Sequence, residues 1–271
     1  MSSIVFIGGG NMASCIVGGM IARGFEAKDI TATAPSESSQ ERLKSRFGIS
    51  ATDDNRSAVA HADIVVLAVK PQIMRKVAMD LASALKADAV VVSVAAGISI
   101  NSLQLWLGNS TAIVRAMPNT PSLVLSGATG LFANELTSQS HKDSVDQIFN
   151  AVGYCCWVES EEQINAVIAV SGSGPAYFFR ILEIMQAVGQ ELGLSEEIAR
   201  ELVSQTALGA SHMAKVSDSS PAQLRQQVTS PGGTTERALS TFQQDGLEAI
   251  FRRAMTSASQ RAEEMSKDFS D

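Results

Sequence analysis

Ile4-Val5-Phe6-Ile7-Gly8-Gly9-Gly10-Asn11-Met12-Ala13 is the stretch on which the reading of this chain turns. An apolar run of four residues stops at three glycines, and a helical pattern then covers 11–23. Gly8, Gly10 and Ala13 fit the spacing G-x-G-x-x-A, a weak signal alone that gains force from the strand before it and the helix behind it. Gly8 permits a tight turn. Gly10, without a Cβ, lets a phosphate come close, and Ala13 allows the helix to pack tightly on the strand. The helix start offers unpaired N–H groups and a partial positive charge to an anion. The competing reading, a glycine turn that binds nothing, lacks a reason for this context.

Outward from that stretch, strand-like and helix-like segments alternate. Strands are expected at 29–34, 63–69, 89–94, 111–116, 127–133 and 153–158. Helices are expected at 36–47, with Ser36 as N-cap, and at 72–85 and 138–151. The run Asp63-Ile64-Val65-Val66-Leu67-Ala68-Val69 is nearly all apolar, as befits a strand covered on both faces of a parallel sheet. The alternation predicts a doubly wound α/β sheet. Past residue 160 no strand pattern remains. Gly-Ser-Gly-Pro at 172–175 interrupts a helical pattern, and long helices are expected near 175–193, 195–216 and 245–267. The expected division is a Rossmann-type dinucleotide-binding domain, 1–160, and an all-helical domain, 161–271.

Composition narrows the function classes. A formal net charge of −7 and a pI near 5.1 argue against a nucleic-acid binder and against an anionic membrane surface as partner. Hydrophobic residues at 45% against 18% charged residues suffice for a packed core. Three cysteines, Cys15, Cys155 and Cys156, make no disulfide framework. The adjacent pair would point to opposite faces of a strand. No spaced Cys/His cluster points to a metal. The N-terminus lacks the basic stretch and long apolar run of a signal peptide, and no uninterrupted apolar run reaches the roughly 18 residues of a membrane span. A cytoplasmic location is expected.

The tip of the second strand bears on the choice of nucleotide. NAD binders carry an acid there to hold the ribose 2′-OH. Here the chain reads Thr33-Ala34-Pro35-Ser36, with Glu37 only afterwards. Ser36 suits a 2′-phosphate, and Arg42 or Arg46 could supply charge unless they line a solvated helix face. NADP is preferred and NAD remains open. Three further strand ends carry stiff or small-residue turns: AVKP (68–71), SVAAG (93–97) and RAMPNTP (115–121). Ligands of open α/β sheets sit beyond such ends.

VTSPGGTTE (228–236) is the remaining signal. A Pro-Gly-Gly turn feeds a helix whose start carries hydroxyls, a place for a small anion such as a carboxylate. An ordinary capping box, threonine at the cap with Glu236 nearby, explains the same residues equally well.

Taken together, FIGGGNMA (6–13), AVKP (68–71), VVSVAAGISI (91–100), RAMPNTP (115–121), VSGSGPAYF (170–178) and VTSPGGTTERAL (228–239) resemble the pyrroline-5-carboxylate reductases, in the same order and over essentially the whole chain. The resemblance implies an oxidoreductase that reduces 1-pyrroline-5-carboxylate to L-proline with NADPH or NADH, the final step of proline biosynthesis. It implies a helical domain that builds an interlocked homodimer, with five dimers able to form a ring. By position it assigns cofactor contacts to Ile7, Gly8, Gly9, Gly10, Asn11, Met12, Asn55, Ala68, Val69, Lys70, Pro71, Ala95, Ala96, Gly97 and Asn119, and more loosely to Ser36. It assigns substrate contacts to Gly233, Thr234 and Thr235, with Thr235 steering the ring nitrogen, and further contacts to Glu161 and Gln227, where the family often has Asn. Two alternatives compete. A β-hydroxyacid dehydrogenase would need a catalytic lysine near the start of its central helix, and 173–179 reads SGPAYFF. A non-catalytic nucleotide sensor would have no use for the SPGGTT helix start.

Overall fold

All four residues of β1 (Ile4–Ile7) are buried, Ile4 and Phe6 in one apolar cluster and Val5 and Ile7 in another. Side chains alternate across a strand, so apolar layers cover both faces of the sheet at this point. The computed structural model describes residues 2–269. They divide into two compact units, Met1–Ser173 with Ser257–Asp271, and Gly174–Thr256.

The first unit runs β1, α1 (Asn11–Ala22), β2 (Ile30–Thr33), α2 (Glu37–Phe47), β3 (Ser50–Thr52), α3 (Asn55–Val59), β4 (Ile64–Leu67), α4 (Pro71–Leu81), β5 (Val90–Ser93), α5 (Ile100–Leu107), β6 (Ala112–Met117), β7 (Gly127–Ala133), α6 (Gln139–Asn150), β8 (Gly153–Trp157) and α7 (Gln163–Val167). The eight strands form one sheet in the order β3-β2-β1-β4-β5-β6-β7-β8. Every neighbouring pair is parallel except β6 and β7, whose short connection reverses the chain. This is the Rossmann-type, doubly wound sheet expected from the alternation. The antiparallel β7 has no distinct sequence signature, because its apolar run differs little from those of its parallel neighbours.

Cys155 and Cys156 lie on β8 as adjacent strand residues. Cys155 packs on the inner cluster, where burial and then the Asp146 carboxylate push its thiol up to about 12. Cys156 lines an apolar groove with Thr129 and Val167.

The chain leaves this unit through a π turn, Ile168–Gly172, closed by Ser173 N–H donating to the Ile168 carbonyl at 2.7 Å. The glycine-serine stretch thus widens one helical turn instead of breaking the helix, and Pro175 falls in the first turn of α8, where its missing N–H costs little. The second unit holds α8 (Gly174–Glu191), α9 (Glu196–Val216), α10 (Pro221–Gln227), α11 (Thr234–Gln244) and the first part of α12 (Leu247–Asp268). Its apolar stripes are largely uncovered in a single chain: Phe178, Phe179, Leu192 and Leu208 are each at least 60% exposed. A monomer rarely leaves so much apolar surface open without a partner for it. By length and composition the helical run Gln163–Glu191 could also cross a membrane.

Candidate active site

Backbone pairing aligns the strand ends of the first unit. Thr52, Thr33, Ile7, Leu67, Ser93 and Arg115 stand in one row across β3, β2, β1, β4, β5 and β6. Whatever follows those residues lies just outside the carboxyl ends of the strands. The structure therefore brings together Gly8–Gly10, Ser36, Asn55, Ala68–Pro71, Ala95–Gly97 and Asn119 along one edge of the sheet. The strand order reverses between β1 and β4, the switch point at which open α/β sheets bind ligands.

The glycine turn sits at that point. Gly8 has φ +102°, and a Cβ there would lie 2.7 Å from the Ala68 carbonyl oxygen. Gly8 N–H donates to Thr33 Oγ1 at 3.1 Å, and Ala68 N–H donates to the Ile7 carbonyl at 2.9 Å, so β2 and β4 hold the turn from both sides. Gly10 caps α1 without a side-chain acceptor, and a Cβ there would meet nothing within 4 Å. The first-turn N–H groups of α1 are thus left for an external anion, with room for it.

At the tip of β2, Ser36 caps α2 as expected. Its Oγ lies 2.9 Å from Ser39 Oγ and 3.3 Å from Ser38 Oγ, a hydroxyl cluster at a helix start. Ser38 and Ser39 were missed by sequence reasoning, although the string Ser-Glu-Ser-Ser displays them. Arg46 is placed otherwise than its charge suggested. It rests on the Phe47 ring at 4.9 Å, in the last turn of α2 and about 15 Å along the helix from Ser36.

The Ala95–Gly97 turn is pinned by Val94 N–H on the Leu67 carbonyl at 3.2 Å, and Gly97 adopts φ +77° beneath Met265 and Phe269. Asn119 is 8% exposed, with its amide engaged on both sides. Nδ2 donates to the Ser171 carbonyl and Oδ1 accepts from Ala128 N–H, each at 2.9 Å. Any contact with a ligand must come from its backbone. Lys70 is the exposed cap residue of α4, and Pro71 opens that helix. Glu161 belongs to this unit, whereas Gln227, Gly233, Thr234 and Thr235 belong to the other.

In the second unit, the SPGGTT segment starts α11 with Gly233 at the cap and no side-chain cap bond, so neither threonine plays that part. Glu236 closes the loop from within: its Oε2 accepts from Gly232 N–H at 2.7 Å. Gly233 N–H donates to the Ser230 carbonyl at 3.0 Å. The first-turn N–H groups of Thr234 and Thr235 therefore remain for an anion, with the Thr235 hydroxyl beside them. Gln227 is the exposed last residue of α10.

A doubly wound sheet with an uncapped glycine turn at its switch point defines a Rossmann-type dinucleotide-binding protein. Comparison with known proteins agrees and goes further. A family profile described as NADP oxidoreductase, coenzyme F420-dependent, matches residues 3–97, and one described as pyrroline-5-carboxylate reductase dimerisation matches 161–265. A pyrroline-5-carboxylate reductase of Pseudomonas aeruginosa is 48% identical, with 97% of each chain aligned. The solved structure of the Coxiella burnetii reductase superposes with TM-score 0.94 at 46% identity, covering 98% of both chains. That of Plasmodium falciparum pyrroline carboxylate reductase, with NADP bound, superposes with TM-score 0.87 at 28% identity, again over 98% of both. The chain belongs to the pyrroline-5-carboxylate reductase family.

Proposed function

We propose that the chain reduces 1-pyrroline-5-carboxylate to L-proline with NADPH, and that NADH serves less well. The observation that carries this reading is a pair of uncapped helix starts, α1 behind the glycine turn and α11 behind Pro-Gly-Gly, in a chain of this family. One suits a pyrophosphate and the other a small carboxylate.

The residues present fit the dinucleotide. Gly10 leaves space and the α1 N–H groups lack an internal acceptor. In this reading Ile7 to Met12 hold the pyrophosphate. Backbone at Ala68–Pro71, Ala95–Gly97 and Asn119, with Asn55, lines the rest of the strand-end crevice. The serine cluster at Ser36 takes the 2′-phosphate. When bound, the dinucleotide supplies the hydride for the C=N carbon.

The chain's own residues orient the imine. Thr234 and Thr235 N–H groups hold the substrate carboxylate, Gly233 shapes the loop, and Gln227 flanks it. The Thr235 hydroxyl hydrogen-bonds the ring nitrogen and fixes which face of the ring is presented. A threonine hydroxyl is too weak an acid to be the sole proton source, so the proton comes with a protonated substrate or from water. An iminium accepts hydride far better than a neutral imine.

The uncovered faces of α8 and α9 are assigned to a homodimer, and five dimers to a ring. The dimerisation match over 161–265 supports the first of these and offers a protein partner for the apolar run 163–191 in place of a bilayer. A cytoplasmic location and a functional division at residue 160 complete the reading. The test is product analysis. Proline formed mole for mole with NADPH consumed supports it. NADPH binding with no proline formed from this imine would reject the substrate.

A further inference from the structure

The resemblance casts Glu161 as a substrate contact, yet its carboxylate is engaged inside the first unit. Oε1 accepts from Arg115 Nη1 and from the Ile100 backbone N–H, each at 2.7 Å. The Arg115 side chain is 5% exposed and that of Glu161 24%, so this is a charge-assisted contact largely out of water. Ile100 is the first residue of α5, and its N–H has no partner within the helix. A carboxylate at that position satisfies it and suits the helix dipole.

What this contact holds is the turn just before α5. Ala95–Gly97 leaves β5 at Ser93 and reaches Ile100 in seven residues. Its near end is fixed by the Val94 bond to Leu67 and by Ala95 N–H donating to Ser93 Oγ at 3.4 Å. Its far end is fixed by Glu161. Arg115 pairs in register with Ser93, so the Glu161 carboxylate ties the far end back to the strand beside the near end. Between the two, Gly97 keeps a positive φ that a relaxed turn would have no reason to keep.

We infer that Glu161 is a positioning residue for the Ala95–Gly97 turn, acting through the Ile100 N–H and Arg115, and not a substrate ligand. The inference rests on the proposed reading of that turn as part of the cofactor crevice. Glu161→Ala strands a buried guanidinium and frees the α5 start. Glu161→Gln keeps an acceptor oxygen for both donors but removes the charge.

The test is equilibrium NADPH binding to the full chain, followed by nucleotide fluorescence without imine, beside thermal melting and steady-state kinetics. Glu161→Ala should raise the NADPH Kd about tenfold or more, with Glu161→Gln rescuing much of that loss. The KM for 1-pyrroline-5-carboxylate at saturating NADPH should move less than about twofold in the Gln variant. If the Ala variant does not fold, the Gln variant carries the test through its smaller but selective rise in NADPH Kd. An unchanged NADPH Kd with a raised imine KM would make Glu161 a substrate ligand and overturn the inference. A lowered melting temperature with both constants unchanged would reduce it to plain stability and overturn it equally. Wild-type protein that binds no NADPH would instead overturn the function from which the inference descends.

Discussion

Gly8 donates its backbone N–H to the hydroxyl of Thr33 at 3.1 Å, joining the glycine turn to the last residue of the neighbouring strand. Thr33 is 2% exposed, so this bond is shielded from water. Thr33→Val keeps the shape, removes the acceptor and leaves the Gly8 N–H unpaired, a loss of about 1–3 kcal/mol. Gly8→Ala should do more harm, because a side chain at φ +102° is strained by about 1–3 kcal/mol before its Cβ meets the Ala68 carbonyl. Urea unfolding of the two variants would read both losses.

Gly10→Ala should behave oppositely. Its backbone, φ −74° and ψ −170°, suits any residue, and the space around a Cβ there is open. The melting temperature should stay near wild type, while a methyl group facing the pyrophosphate raises the NADPH Kd about tenfold or more. Calorimetric titration beside a melting curve separates the two effects. Tight NADPH binding by this variant would remove the glycine turn from the cofactor site.

Ser36→Asp tests the choice of nucleotide. Aspartate is as good an N-cap as serine, so stability should hold. Its carboxylate repels a 2′-phosphate and accepts from a ribose 2′-OH. The ratio of kcat/KM for NADPH to that for NADH should fall about tenfold or more. A ratio that does not move would place the 2′-phosphate away from the serine cluster.

Asp63 predicts a pH dependence of stability. Lys86 Nζ, at 2.7 Å, and the Ser3 N–H hold its carboxyl below the usual carboxylate range. A depressed folded value means that the contribution is present above the unfolded pKa and is lost as the pH falls through the folded one. Asp63→Asn should therefore be less stable than wild type at neutral pH. The gap should close in acid below the ordinary aspartate value. Urea midpoints across that range give the comparison, and a gap independent of pH would contradict the assignment.

Much of this was legible in the sequence because its signals are local. β1 and β7 have the expected bounds, and Ser36, Ser138 and Ser195 cap the helices that their positions announce. Short elements escaped: β3 and α3 are too short to show a period, and α5 and α10 span barely two turns. The return of residues 257–271 to the first unit left no mark either, since one unbroken helix, α12, carries the chain there. Within the site, the motifs named the turns but not their fastenings. Thr33 under Gly8, Ser171 against Asn119, and Arg115 with Ile100 around Glu161 are tertiary pairs between residues 25 to 61 positions apart. Nothing in a neighbouring stretch of chain reveals such pairs.

The central claim is a division of labour, with the dinucleotide held by the strand ends of one unit and the imine by the α11 start of the other. Thr235→Ala addresses it most directly, measured as the rate of proline formation from 1-pyrroline-5-carboxylate with the NADPH Kd determined in parallel. The account predicts a fall in turnover of about 100-fold with the NADPH Kd unchanged. Turnover near that of wild type would contradict it and remove the Thr235 hydroxyl from the reaction.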